Sequence, residues 1–388
     1  MPALDYRTAG ESHGRSLTVL IEGLPAGIAL DVQFVNAELR RRQGGYGRGG
    51  RMKIEQDALE LHSGLRRGVT TGSPLVLQIP NRDHRIDAAP AVQRPRPGHA
   101  DLAGACKWLT TDCRETLERA SARETAARVA AGAAARSLLR EFGVACVGFA
   151  SEIGPVRATV PDAGPNELAA MRDANEAYAP DAAAAERMIE AIRQAKRDKD
   201  TLGGIVEVRV FNLPIGLGSC FRWQDKLDGR LMQAVGSIQA IKGVEIGLGF
   251  DAARRPGSQV HDAIHFDPAQ RQSPNFGFVR QTNRAGGLEG GMTNGMPLVV
   301  RAAMKPISTL LQGMNSVNLA TLQPERSDYE RSDVCAVPAA SVVAENVVAF
   351  EVARAWMEKF AGDTLGEVRA AYEHYCAAVR ALANGRSP

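Results

Sequence analysis

Ser12 and His13 stand side by side between glycines in Gly10-Glu11-Ser12-His13-Gly14. A histidine titrates near neutrality, so one held in a glycine-bounded loop suits proton transfer. Ser12 is a candidate nucleophile or ligand contact, and the plain alternative for the pair is a polar turn. A second histidine lies in Arg96-Pro97-Gly98-His99-Ala100-Asp101. There Asp101 either orients the imidazole or caps the following helix. Between Arg40 and Arg51 the chain carries five arginines and no acid. Arg42, Arg48 and Arg51 flank glycines that let backbone approach a ligand, and guanidinium groups fork onto phosphate or carboxylate. The stretch matches G-x-G-x-x-G formally, but no strand leads into it and no helix opens from it. Such loops also occur in RNA-binding or disordered segments. Further clusters of charged and hydroxyl residues are Lys305-Pro306-Ile307-Ser308-Thr309 and Arg331-Ser332-Asp333. No Walker A, zinc or G-x-S-x-G pattern competes with these. Together they suit a small, highly anionic ligand that needs proton transfer.

The elements that must position these residues follow from periodicity. Leu17, Val19 and Ile21 alternate with their neighbours, as a strand requires. Asp31 predicts a helix N-cap, with Val32, Val35 and Leu39 on one face up to Gln43. Arg40, Arg41 and Arg42 fall in its last turn, where cations complement the helix dipole. A strand is expected over 72–81 and an aperiodic exposed loop over 80–97. Ser121 and Glu124 have capping-box spacing before a helix whose Ala127, Ala130, Ala131, Ala134 and Leu138 share one small face, suited to close packing against a sheet. Arg123 in that first turn calls for an anionic partner. Residues 157–200 are rich in Ala, Asp, Glu, Arg and Lys, and read as a helical excursion from the core with an exposed helix over 181–199. Strands are expected over 204–213, 242–247 and 296–303, and helices over 228–241 and 338–360. Residues 251–296 have no period and read as a functional or disordered loop.

At 388 residues with 44% hydrophobic and 23% charged residues, the chain is of ordinary globular composition. A net charge of +3 and 5% aromatics weigh against a nucleic-acid binder, so the cationic field is local. The six cysteines form no CxxC pair, which suggests reduced thiols and a cytoplasmic protein. No signal-type apolar region opens the sequence, and no apolar run has membrane-spanning length.

Five blocks in order, Gly10–Gly14, Arg96–Asp101, Ser121–Gly132, Lys305–Thr309 and Arg331–Ala340, resemble chorismate synthases over nearly the whole length. The resemblance implies an α+β fold, a single large β-α-β sandwich domain with antiparallel sheets over 1–388, and a homotetramer. It implies 1,4-anti elimination of phosphate from 5-enolpyruvylshikimate 3-phosphate to give chorismate, in the shikimate pathway. It implies reduced FMN without net redox change, with a separate flavin reductase and NADPH behind the supply. His13 would protonate the departing phosphate, His99 would supply a proton to the reduced flavin, and Asp333 would assist. Ser12, Arg42, Arg48, Arg51, Arg123 and Arg331 would contact substrate. Ser121, Ala122, Arg123, Gln239, Ala240, Gly290, Lys305, Pro306, Ile307, Ser308, Thr309 and Arg331 would contact FMN, and no metal is implied. The arginines should surround His13 and disfavour its protonated form until the anionic substrate arrives. The chain departs from many relatives at Gly44-Gly45-Tyr46 and at Lys107-Trp108, without losing a motif residue. The rival readings are an FMN-dependent oxidoreductase using the same site for hydride transfer and, more distantly, a nucleic-acid binder using the arginine-glycine loop.

Overall fold

Alternation along Ser16–Glu22 buries Leu17, Val19 and Ile21 on one side of the strand. In the computed structural model, which describes residues 3–50, 54–328 and 333–382, this strand lies inside a four-stranded sheet. The order is Asp5–Ala9, Ser16–Glu22, Leu75–Pro80, Glu60–Ser63, every pair antiparallel. A second antiparallel sheet runs Ile241–Ile246, Leu298–Met304, Gly204–Phe211, Ala145–Ile153, Val156–Arg157. It turns Val206, Val208, Val210, Leu298, Val300 and Ala302 into the core.

Helices fill the space between the sheets. Helix α1 (Val32–Gln43) starts at Asp31, whose carboxylate accepts the Phe34 N–H at 2.9 Å. Two short helices, α2 (Asp101–Trp108) and α3 (Arg114–Arg119), precede α4 (Thr125–Arg140). Helices α5 (Pro165–Asp173), α6 (Ala182–Arg197) and α7 (Leu227–Gly236) follow, then α8 (Val337–Lys359) and α9 (Leu365–Leu382). Helix α4 packs on the first sheet, α8 on the second, and the two helices on each other. A β-carbon on Gly132 of α4 would lie 2.1 Å from the Asn346 carbonyl of α8, and one on Gly148 would lie 2.5 Å from the Ser341 carbonyl. Both glycines are therefore what lets α8 sit between a helix and a strand. The single small face expected for α4 is in fact nearly its whole circumference: Ala126, Val129, Ala133 and Ala135 are as buried as the predicted positions.

Buried ion pairs join the layers. Glu345 of α8 meets Arg41 of α1 at 2.6 Å, Arg136 of α4 at 2.9 Å and Arg172 of α5 at 3.2 Å. Glu38 meets Arg41 at 2.6 Å and Arg136 at 2.8 Å. Burial would raise the Glu38 carboxyl, but Arg136 and Arg41 bring it down to about 2.

Residues 157–200 do include the exposed-side helix expected of them, α6, capped by Asp181. Its other side, with Ala184, Ala185, Met188 and Ile192, belongs to the main hydrophobic cluster, so the segment is part of the core packing. Residues 251–296 hold short antiparallel ribbons, Ile264–Phe266 with Phe278–Arg280 and Leu288–Glu289 with Met292–Thr293. Asp262 accepts the Arg284 and Ala285 N–H groups at 3.0 and 2.9 Å and ties one ribbon down. Among the described residues no helix is long and apolar enough to cross a membrane.

Candidate active site

The Gly10–Gly14 turn joins the first two strands, and neighbouring segments hold it. Asn81 donates to the Gly14 and Glu11 carbonyls at 2.8 and 3.1 Å, and the Arg85 and Ile86 N–H groups donate to the His13 carbonyl. Glu118 of α3 contacts both backbone and ring. Its Oε2 accepts the His13 main-chain N–H at 2.8 Å, and its two oxygens lie 2.9 and 3.0 Å from His13 Nδ1. The Glu118 carbonyl accepts the Ser12 N–H at 3.1 Å. Arg114 Nη1 donates to Glu118 Oε1 at 3.3 Å. Burial would raise the Glu118 carboxyl, but the hydrogen bonds and charge of His13 and the bond from Arg114 hold it below the usual carboxylate range. On the other side of the ring, Nε2 faces Asp83 Oδ2 at 3.8 Å. The expectation that arginines surround His13 is therefore corrected: two carboxylates bracket the ring, with Arg114 behind one of them.

Next to this turn the Ser121 hydroxyl donates to that of Ser12 at 3.2 Å, and Ser121 also accepts the Arg123 N–H. The capping box is half formed. Glu124 does not return to Ser121 but bonds Thr8 at 2.6 Å, Arg128 at 2.8 Å and Gln239 at 3.1 Å. Ala122 begins the short 3-10 turn that leads into α4.

The three arginines ending α1 diverge. Arg40 is exposed, Arg41 enters the Glu38–Glu345 network, and Arg42 turns inward. Arg42 Nη2 donates to Asp57 Oδ2 at 2.7 Å, while Arg123 Nη1 takes Oδ1 at 2.6 Å. Arg123 also donates to Asn81 at 2.8 Å and lies 3.8 Å from Glu55. Two buried guanidinium groups thus share one aspartate. Burial brings Arg42 down to about 10; Asp57 opposes the shift, and repulsion from Arg123 and Arg48 adds to it. Burial would raise Asp57, but Arg42 and Arg123 bring it below its ordinary value. Arg42 Nε and Arg123 Nη2 are buried with no hydrogen-bond partner among the described residues. The anionic partner expected for Arg123 is present, as protein carboxylate.

Arg48 rides on the glycine loop. Gly47 has φ +96°, and a β-carbon there would lie 3.0 Å from the Cys335 carbonyl, so the loop lies flat against the start of α8. Asp333 is bound to it: Arg48 Nη1 pairs with Oδ2, and the Gly49 N–H donates to Oδ1 at 2.6 Å. A cleft of about 500 Å³ opens here, lined by Arg48, Lys196, Thr309, Leu311 and Asp333. Arg51 and Arg331 lie outside the described residues.

His99 also has a carboxylate at Nδ1, with Arg96 Nη2 3.0 Å from the same nitrogen. Its Nδ1 bonds Asp101, which is wholly buried and takes Arg96 Nε at 2.8 Å and Nη2 at 3.1 Å. Asp101 thus orients the imidazole, and the N-cap position of α2 belongs to Ala100. Burial would raise Asp101, but the bonds from His99 and Arg96 hold it far below the carboxylate range. Arg96 Nη1 donates to Thr309 at 3.2 Å, which joins this centre to the Lys305–Thr309 segment. A β-carbon on Gly98 would lie 3.8 Å from Lys305 Nζ and 3.5 Å from Ser308. Burial and Lys242 lower the Lys305 ammonium. Ala240 has φ +68°, and its carbonyl accepts the Lys305 N–H at 3.0 Å; the Ile307 carbonyl accepts the Thr201 hydroxyl. Pro306 lies between them. Gln239 Oε1 is buried without a hydrogen-bond partner among the described residues. Gly290 stands apart, in the Leu288–Thr293 hairpin beside Cys220.

The structure therefore groups Ser12, His13, Ser121, Arg123 and Arg42 in one cluster. His99, Lys305 and Thr309 form a second, and Arg48 with Asp333 a third, which meets the second at Thr309. Sequence reasoning missed Glu118, Asp83, Asn81, Asp57 and Glu55. Only Glu118 left a trace, the Arg114–Glu118 spacing of a helical ion pair, which reads as a solvated surface feature.

The family model described as chorismate synthase matches residues 4–357. The chorismate synthase of Geobacter sulfurreducens is 54% identical, over 98% of this chain and 100% of its own length. That of Desulforamulus reducens is 54% identical, over 95% and 97%. A solved structure described as a crystal structure of chorismate synthase superposes with a TM-score of 0.80 at 41% identity, covering 98% of this chain and 99% of that one.

Proposed function

The chain belongs to the chorismate synthase family, a family of lyases, and from that premise we propose that it converts 5-enolpyruvylshikimate 3-phosphate to chorismate by 1,4-anti elimination with reduced FMN. One observation carries the reading: two buried guanidinium groups share a single aspartate beside a carboxylate-held histidine. A substrate with a phosphate and two carboxylates supplies the missing negative charge, and its leaving group needs a proton.

Arg42 and Arg123 bind and orient the anion through Nε and Nη2, the atoms without acceptors among the described residues. Arg48 adds a third charge from the glycine loop. Ser12 contacts substrate; the elimination has no step for a nucleophile. His13, held at Nδ1, carries its transferable proton on Nε2 and passes it to the departing phosphate oxygen. The residues present also fit FMN. Gln239 Oε1 lacks a partner, Lys305 is partly desolvated beside Gly98, and Ser121 and Ala122 open a helical start that suits an anion. Ser121, Ala122, Arg123, Gln239, Ala240 and Lys305–Thr309 would hold it, with Gly290 and Arg331 as further contacts. When bound, reduced FMN would supply an electron-rich ring as the C–O bond breaks and a base for the departing ring proton. His99, fixed on Asp101, keeps an exchangeable proton on Nε2 next to the Lys305–Thr309 segment, and Asp333 assists from the Arg48 loop. The reduced flavin comes from a separate reductase, and the working form is a homotetramer.

The test is anaerobic incubation of the purified protein with 5-enolpyruvylshikimate 3-phosphate and reduced FMN. Chorismate and phosphate in equal amounts are expected; release of neither would overturn the reading.

A further inference from the structure

We propose that Glu118 is a positioning residue for the elimination: by holding His13 at Nδ1 and at its main-chain N–H, it directs the ring's transferable proton to Nε2. This rests on the function proposed above.

The geometry leaves Glu118 little other role. Its side chain is wholly shielded from solvent, whereas that of His13 is 14% exposed. An ionised carboxylate only accepts, so a ring nitrogen 2.9 and 3.0 Å from its two oxygens must bear hydrogen. That fixes which nitrogen is left to face outward. Three bonds from one residue, to the ring, to the His13 N–H and from the Ser12 N–H, tie the turn to α3. Arg114 holds the carboxylate and is itself anchored on the Pro90 carbonyl at 2.9 and 3.2 Å.

A buried carboxylate at histidine Nδ1 recurs with Asp101 and His99 in another stretch of chain, where Arg96 Nη2 also lies 3.0 Å from the ring nitrogen. The other charges around His13 are Asp83 across Nε2 at 3.8 Å, with Arg85 on its second oxygen at 3.1 Å, Glu11 over Gly14 in the same turn, and Arg119 on the Gly10 and Thr8 carbonyls. Asp83 is beyond hydrogen-bond distance, so its influence is the weaker.

Glu118→Gln tests this, because glutamine keeps the shape and an acceptor oxygen but no charge. We expect kcat to fall about 10- to 100-fold with KM changed less than about two-fold. Glu118→Asp should recover part of the lost kcat, and Asp83→Asn should lower kcat less. Independently of turnover, 15N-histidine NMR of the substrate- and flavin-free protein, with the His13 signal assigned by His13→Ala, should show hydrogen on Nδ1 at high pH. An unchanged kcat in Glu118→Gln, an equal loss in Asp83→Asn, or an Nε2–H tautomer would overturn the proposal. If Glu118→Gln does not fold, Glu118→Asp and the wild-type tautomer decide. Wild-type protein that makes no chorismate would refute the proposed reaction, while the tautomer would still judge the role of Glu118.

Discussion

His13 reaches its surroundings through two nitrogens, and the fold commits one of them to Glu118. The other is the atom on which the proposed chemistry depends. His13→Ala should therefore keep FMN binding, measured by flavin fluorescence titration, while phosphate release slows by about two orders of magnitude or more. Unchanged turnover would remove His13 from the mechanism. Asp57 is the counterpart on the binding side. Asp57→Asn leaves Arg42 and Arg123 buried without their shared charge, and should cost about 3–5 kcal/mol in denaturant unfolding. Added phosphate should raise the melting temperature more in that variant than in the wild type, since an anion can then take the place of the carboxylate. Equal phosphate responses would contradict an anion site between these arginines. At this scale the sequence revealed the histidines and arginines by type and spacing. It did not reveal the carboxylates that organise them, because Glu118 lies 105 residues from His13 and Asp57 lies 66 from Arg123. An isolated acid carries no local mark of such a partner.

Elements with one solvated face were legible, and those without were not. Helix α1 and strand Ser16–Glu22 alternate between core and surface, and they match their predicted ranges closely. Strand Ala145–Ile153 is buried along most of its length on both sides, and offers no alternation to read. Helix α8 is nonetheless legible from its apolar residues, the proline that starts it and Gly362 beyond its end. Its seat depends on two glycines elsewhere in the chain, and Gly132→Ala tests that seat directly. The added β-carbon meets backbone at 2.1 Å, so α4 and α8 must part. A loss of about 1–3 kcal/mol or more is expected in chemical denaturation. A neutral outcome would show that the two helices separate at little cost. For residues 157–200 polar composition suggested an excursion, whereas the spacing of Ala184, Met188 and Ile192 is what joins α6 to the core.

Across the whole molecule, the two sheets and the helices between them bring chain positions from 12 to 333 to a few neighbouring turns. Arg42 arrives from the end of α1, Arg123 from the start of α4, and Asp333 from the approach to α8. The resemblance in sequence extended to the sandwich of antiparallel sheets, which periodicity alone did not disclose. The central claim is that this assembly performs an elimination in which the flavin is not consumed. The ratio of flavin oxidised to chorismate formed, read from the absorbance spectrum during many anaerobic turnovers, tests it most directly. The account predicts a ratio of zero with the reduced spectrum restored at the end; one flavin oxidised for each chorismate would contradict it.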